Sequence, residues 1–137
     1  MGSTRRRRSS KAQDTPDRVA TARDLSALAR EIGLFVAERE WERFHTPKNL
    51  ASSVAIEAAE LMEIFQWLDP GQSDRAGLDP VLMSRVKDES ADVFAYLLSL
   101  ANRLGFDLGQ ALLDKLERNR RKYPVERFKG RFGENDL

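Results

Sequence analysis

The stretch from Leu50 to Leu68, LASSVAIEAAELMEIFQWL, constrains this chain more than any other part of it. Its apolar residues Leu50, Val54, Ala58, Leu61, Phe65 and Leu68 recur at helical spacing. Glu57, Glu60 and Glu63 are set into the same segment three residues apart. Their directions spread over roughly a third of the helix circumference, so Glu57 and Glu60 can point at one site. A helix this apolar must lie against a partner helix. At least two of its carboxylates are then expected to be held away from bulk water, where a carboxylate requires a cation or a proton.

Composition narrows what that cation can be. With 137 residues, 41% of them hydrophobic, the chain can build one modest core. It has no cysteine, which excludes a disulfide scaffold, a thiolate zinc site and a cysteine nucleophile. The single histidine, His45, excludes a histidine-rich metal centre within one chain. Metal chemistry must therefore be carboxylate chemistry, which favours hard cations such as Mg2+ or Mn2+. No apolar run approaches the length of a membrane span, and no apolar stretch follows Arg5 to Arg8. The expectation is a cytoplasmic protein with no membrane partner.

The formal charge of +1 hides a partition. From Glu31 to Asp114 fifteen acids stand against seven bases, whereas from Lys115 onward eight bases stand against four acids. The middle of the chain thus calls for cations, and the last helix can offer positive charge to an anionic ligand. A nucleic-acid binder is expected to be basic across its folded body. This chain is not, so contact with nucleic acid is expected at most through the Arg5 to Arg8 arm.

Residues 1–20 are polar, rich in Arg and Ser and aperiodic, and read as a disordered arm. Residues 21–124 read as one all-α domain, and 125–137 as a basic tail with two aromatics. Thr21 and Asp24 have the spacing of a capping box, which predicts a first helix to about Glu42. The connection to the second helix carries His45, Pro47, Lys48 and Asn49, with Asn49 as the expected N-cap. Asp69-Pro70-Gly71 predicts a stop, and Gln72 to Gly77 a polar loop. Asp79 and Pro80 predict the start of a third helix that Gly105 ends near Leu104. Asp107 and Gln110 predict the start of a fourth, which Pro124 stops after Lys122. Four helices with short connections predict a four-helix-bundle-like fold with neighbours antiparallel.

If the second and third helices lie side by side, Glu57-x-x-Glu60 can face Glu89-x-x-Asp92. Four carboxylates in one layer repel one another unless divalent cations intervene. Either pair alone is an ordinary salt-bridging pattern of solvated helices; two pairs inside apolar segments are harder to explain that way. A di-iron carboxylate bundle is the competing metal reading, but it relies on Glu-x-x-His pairs and neither helix has a histidine. Trp41, Trp67 and Tyr96 are candidate base-stacking surfaces, although each taken singly reads equally as packing. Lys115, Asn119, Arg121 and Lys122 can reach phosphates, or can simply favour a helix C-terminus.

The run Trp41-Glu-Arg-Phe-His45-x-Pro-Lys48-Asn49-Leu50, followed by Glu57-x-x-Glu60-Leu-x-Glu63-x-Phe-Gln-Trp67, resembles the MazG-like all-α nucleoside triphosphate pyrophosphohydrolases. Within them it is most similar to the small dCTP pyrophosphatase branch. Asp88-Glu89-Ser-Ala-Asp92-Val-x-x-Tyr96-Leu and Lys115-x-x-x-Asn119-Arg-Arg121-Lys122-Tyr123-Pro124 match the same branch, so the resemblance covers about residues 24–124. It implies hydrolysis of a nucleoside triphosphate between the α and β phosphorus. It also implies that Glu57, Glu60, Glu89 and Asp92 hold magnesium, with Glu63 assisting. Lys115, Asn119 and Tyr123 would bind the triphosphate, and Trp41, His45 and Trp67 would enclose the nucleotide. A homodimer or homotetramer, with sites completed by a neighbouring chain, is implied as well. The chain departs from that pattern at Ala59, where relatives often carry glycine, and at Ile32, where vertebrate members have a histidine near the base. A helical module that binds nucleotide or nucleic acid around a structural metal, without turnover, is the alternative.

Overall fold

A computed structural model describes residues 23–131; the arm 1–20, Thr21 and the tail beyond Arg131 lie outside the described residues. Helix α1 spans Leu25–Glu38. It starts there because Asp24 accepts hydrogen bonds from the backbone N–H of Ser26 at 2.9 Å and of Ala27 at 3.2 Å. The helix is shorter than the sequence predicts. Glu40 adopts a left-handed backbone, φ 54°, and Trp41–Arg43 form a 3-10 turn in place of further helix. That reversal carries Trp41 back edge-on to Phe35, their ring centroids 5.8 Å apart. The Arg39 guanidinium also lies over the Phe35 ring, at 3.7 Å.

Helix α2 spans Pro47–Phe65, and its N-cap is Thr46 rather than the expected Asn49. Proline at the first helical position has no N–H to satisfy, so the cap falls to the residue before it. The Thr46 hydroxyl accepts from the Asn49 N–H, while the Asn49 side chain donates to the Phe44 carbonyl at 3.0 Å. Asn49 thus staples the incoming turn to the helix. The segment expected to be a polar loop is helical instead. Asp69 and Gln72 form a reciprocal capping box that starts the short helix α3, Pro70–Asp74, and a 3-10 turn follows at Ala76–Leu78.

Helix α4, Pro80–Leu104, begins at Asp79 and ends at left-handed Gly105, as the sequence predicts. Helix α5 spans Leu108–Lys122 from an Asp107 cap, and α6 covers Val125–Phe128. The described residues contain no strand. No helix among them is long and apolar enough to cross a membrane.

The body is made by α2 packed along α4, with α1 laid on α4. Its buried apolar residues are few: Val36 from α1, Leu50 and Ile64 from α2, Ala76, and Leu98 and Ala101 from α4. The Asn102 side chain ties α4 to α1 by donating to the Ala29 carbonyl at 2.7 Å. Helix α5 approaches the body at its first turn, where Gly109 is so close to Leu25 that a Cβ there would come within 2.9 Å of Leu25 Cδ2. Beyond that turn Leu112, Leu113 and Leu116 remain exposed. The described residues therefore build a three-helix body with an amphipathic fourth helix whose apolar side is exposed beyond its first turn, and the bundle expected from the sequence is not closed among them.

Candidate active site

Helices α2 and α4 bring carboxylates together because each presents two acids one turn apart along their shared seam. Oxygens of Glu57, Glu60 and Glu89 all lie within 4.8 Å of one another. Glu57 and Glu89 are half-buried and Glu60 is exposed. Burial is the largest influence raising the Glu57 carboxyl above its ordinary value, followed by repulsion from Glu60, Asp92 and Glu89. Asp92 is thus near enough to be felt by Glu57, yet it lies outside the three-oxygen group. Glu63, one turn beyond Glu60, is exposed and also outside it. The sequence led us to expect at least two of the three α2 carboxylates to be withdrawn from solvent, but only Glu57 is half-buried, and Glu60 and Glu63 are exposed because they point off the α2–α4 seam. Of the four acids expected to face one another, Glu57, Glu60 and Glu89 converge.

The donor set fits a hard divalent cation. It is all oxygen and all anionic, it comes from two helices that a shared ion would hold in register, and its spacing suits one coordination sphere. Mg2+ or Mn2+ would be held by Glu57, Glu60 and Glu89, with Asp92 at the margin.

Asp92 also lines a cavity of about 310 Å³ with Trp41, His45, Tyr96, Phe35 and Ser99. The His45 ring lies between the other two aromatics, 6.4 Å from Trp41 and 6.4 Å from Tyr96. The 3-10 turn after Glu40 places Trp41, and the Asn49 bond to Phe44 fixes the turn just ahead of His45. The acid cluster and the aromatic cavity therefore meet at one residue, Asp92. Sequence reasoning found three of the aromatic and imidazole groups here but missed Phe35 and Ser99 as lining. A serine interrupting the apolar run Leu97-Leu98-Ser99-Leu100 was the available signal.

Other expected site residues stand apart within one chain. Trp67 is 85% exposed and does not line the cavity. Lys48 is exposed on the first turn of α2, its carbonyl accepting from the Ser52 hydroxyl at 2.9 Å. Lys115, Arg121 and Lys122 are exposed on α5, with Asn119 half-buried. Tyr123 packs edge-on against Phe128 at 5.2 Å, with the Lys122 ammonium over its ring. None of the α5 residues lines the aromatic cavity.

The MazG-like family matches residues 52–133, and this chain belongs to that family. Human dCTP pyrophosphatase 1 is 41% identical over 105 residues, covering 77% of this chain and 60% of the relative. The mouse protein of the same name is 36% identical over 115 residues, covering 84% and 68%. The chain spans about three-fifths of the length of the human relative. A crystal structure of a pyrophosphatase from Archaeoglobus fulgidus aligns at a TM-score of 0.67 and 40% identity, covering 73% of this chain and 92% of that one.

Proposed function

We propose that this chain hydrolyses nucleoside triphosphates, dCTP or related pyrimidine nucleotides foremost, at the α–β bond to give a monophosphate and pyrophosphate. The observation that carries the reading is the junction at Asp92: the acid cluster on one side, an aromatic cavity on the other. A triphosphate is a polyanion and cannot dock on carboxylates directly. Bound Mg2+ or Mn2+ would offset that repulsion and stabilise the charge that builds on the phosphoryl oxygens. Glu57, Glu60 and Glu89 would hold the cation, with Asp92 completing the set, and the cation would supply positive charge to the phosphate chain. Trp41, His45 and Tyr96 hold the base, so the α phosphorus comes nearest the acids. Glu63, exposed and outside the cluster, is the carboxylate left to accept a proton from the attacking water. The water oxygen bonds to the α phosphorus, and the bridging oxygen leaves with pyrophosphate.

The phosphates need cations from the far side as well. Lys115, Asn119, Arg121, Lys122 and Tyr123 carry that role from α5 of a second copy, and Trp67 closes the base from there, with Lys48 and Asn49 at the rim. The exposed Leu112, Leu113 and Leu116 support this assembly, a homodimer or homotetramer burying over roughly 2,000 Å² at each obligate interface. We place the enzyme in the cytoplasm, on the nucleotide pool.

Hydrolysis in oxygen-18 water tests the bond. Label should enter the nucleoside monophosphate and leave pyrophosphate unlabelled. Label in pyrophosphate would move attack to the β phosphorus, release of single phosphate would reject the geometry, and no product with Mg2+ present would leave a binding module.

A further inference from the structure

The aromatic cavity does not end at its own wall. Ile32, Val36, His45 and Ser99 also line a second cavity of about 250 Å³, whose remaining lining is Gly33, Glu42, Asn102 and Arg103. The two spaces share one seam, the first on the Asp92 side of it and the second beyond. At the seam Ile32 and Val36 offer no hydrogen bond, and the polar groups are the His45 imidazole, already placed against Trp41 and Tyr96, and the Ser99 hydroxyl. Ser99 is 8% exposed, the buried polar side chain of the described core. Its hydroxyl has no partner among the described residues, whereas Ser52 on α2 bonds back to its own helix. Among the described residues no buried side-chain polar atom is both sealed from solvent and unpartnered. The Ser99 hydroxyl therefore opens to the cavities it lines.

Behind Ser99 the polar groups are oriented. The Asn102 amide nitrogen is committed to the Ala29 carbonyl at 2.7 Å, which leaves its oxygen as the free end. Glu42, which lines the same cavity, adds a carboxylate acceptor.

We propose that Ser99 reads the edge of the nucleobase, selecting an amino-bearing base over its keto counterpart, with Asn102 and Glu42 as the acceptors behind it. The inference rests on the nucleotide reading given above. With phosphates anchored on the Asp92 side and the ring held among Trp41, His45 and Tyr96, the far edge of the base reaches the seam. Cytosine presents an unprotonated ring nitrogen beside an amino group. The nitrogen accepts from the Ser99 hydroxyl and the amino group donates to the acceptors behind. Uracil presents a ring N–H and a carbonyl; the carbonyl is then set against the acceptors Asn102 and Glu42, and the Ser99 hydroxyl must turn from donor to acceptor.

The test is calorimetric binding of dCMP and dUMP to the full chain, with pyrophosphate release from dCTP and dUTP measured beside it. Unaltered protein should favour the cytosine nucleotide. Ser99→Ala should weaken dCMP binding about tenfold while dUMP changes by less than about twofold, so that the preference collapses. Ser99→Cys, which keeps nearly the same volume and donates poorly, should behave like Ser99→Ala and so exclude cavity collapse as the cause. Equal weakening of both nucleotides, or an unchanged cytosine preference in both variants, would overturn the role of Ser99. A cytosine preference that collapses in protein releasing no pyrophosphate would sustain the base reading and count against hydrolysis alone.

Discussion

Helices α2 and α5 are both amphipathic, both capped by a side chain ahead of the first turn, and of similar length. They differ in what meets the apolar side. On α2, Leu50 is 1% exposed and Ile64 is buried against the body, and the same helix turns Glu57 and Glu60 into the acid cluster. On α5, Leu112 and Leu113 are about three-fifths exposed. The first helix has one apolar side covered by its own chain, while Ile56 and Met62 on another side stay exposed. The second carries an apolar side that nothing among the described residues covers beyond its first turn. Under the proposed assembly, the contrast would separate residues that act in one copy from those that act on another.

The largest effect should come from α2. Replacing Glu60 by Gln is expected to lower metal-dependent pyrophosphate release by about a hundredfold or more, because the cation loses a charged ligand. The melting temperature in chelator should not fall, since one member of a repelling cluster is gone. A variant that kept most of its turnover would remove Glu60 from the site.

Stability should divide along the same line. Leu50→Ala is expected to cost about 3 kcal/mol in denaturant unfolding, the usual result of emptying a packed position. Leu113→Asp should leave the fold of the single chain nearly unchanged but shift sedimentation toward the monomer, with activity lost on dilution. A Leu113→Asp protein that sedimented unchanged would mean the exposed face of α5 is only a surface.

A smaller effect, about tenfold on use of the triphosphate, is expected for Lys115→Ala, with little change for a bare nucleoside. Mixing this variant with Glu60→Gln sharpens the comparison. If α5 serves the site of a second copy, hybrids contain a site free of both substitutions and exceed the activity of either parent; if it serves its own, they show no more than the mean of the two.

How legible this was depends on what each residue answers to. The limits of α4 and α5 were readable because Asp79-Pro80, Gly105 and Asp107 act on the chain beside them. Asn49 was misassigned because Thr46 competes for the same cap, and Pro47 decides between them. The end of α1 was missed for a similar reason: nothing in the sequence around Glu40 announces a left-handed residue. In the site, the spacing of Glu57, Glu60 and Glu89 was enough to foresee their convergence. The displacement of Asp92 toward the aromatic cavity was not, because it depends on how α4 turns against α2. Ser99 stayed hidden because a serine on an apolar stripe has the same sequence signature whether it bonds its own helix or opens to a cavity.

The smallest effect concerns pH. The folded state holds the Glu57 proton more tightly than the unfolded chain does. Metal-free protein should therefore gain stability as pH falls through that raised value, with the gain complete below the ordinary 4.5. In Glu57→Gln this part of the pH dependence should vanish. Thermal melts in chelator across mildly acid pH would show it, and an unchanged slope would mean that neither burial nor the neighbouring carboxylates raise the Glu57 carboxyl.

The left-handed residue at position 40 has a consequence for how this protein tolerates mutation. Its side chain is exposed, so by contact alone almost any residue would serve. Its backbone is not so permissive, since φ 54° costs an ordinary residue about 1–2 kcal/mol. Glycine there should be an improvement, asparagine and aspartate nearly neutral, and valine or isoleucine the worst choices. A saturation library at this surface position should thus rank variants by backbone freedom rather than by polarity or size. The ranking should appear in nucleotide affinity as well as in stability, because Trp41 and His45 hang from the turn that this one residue sets.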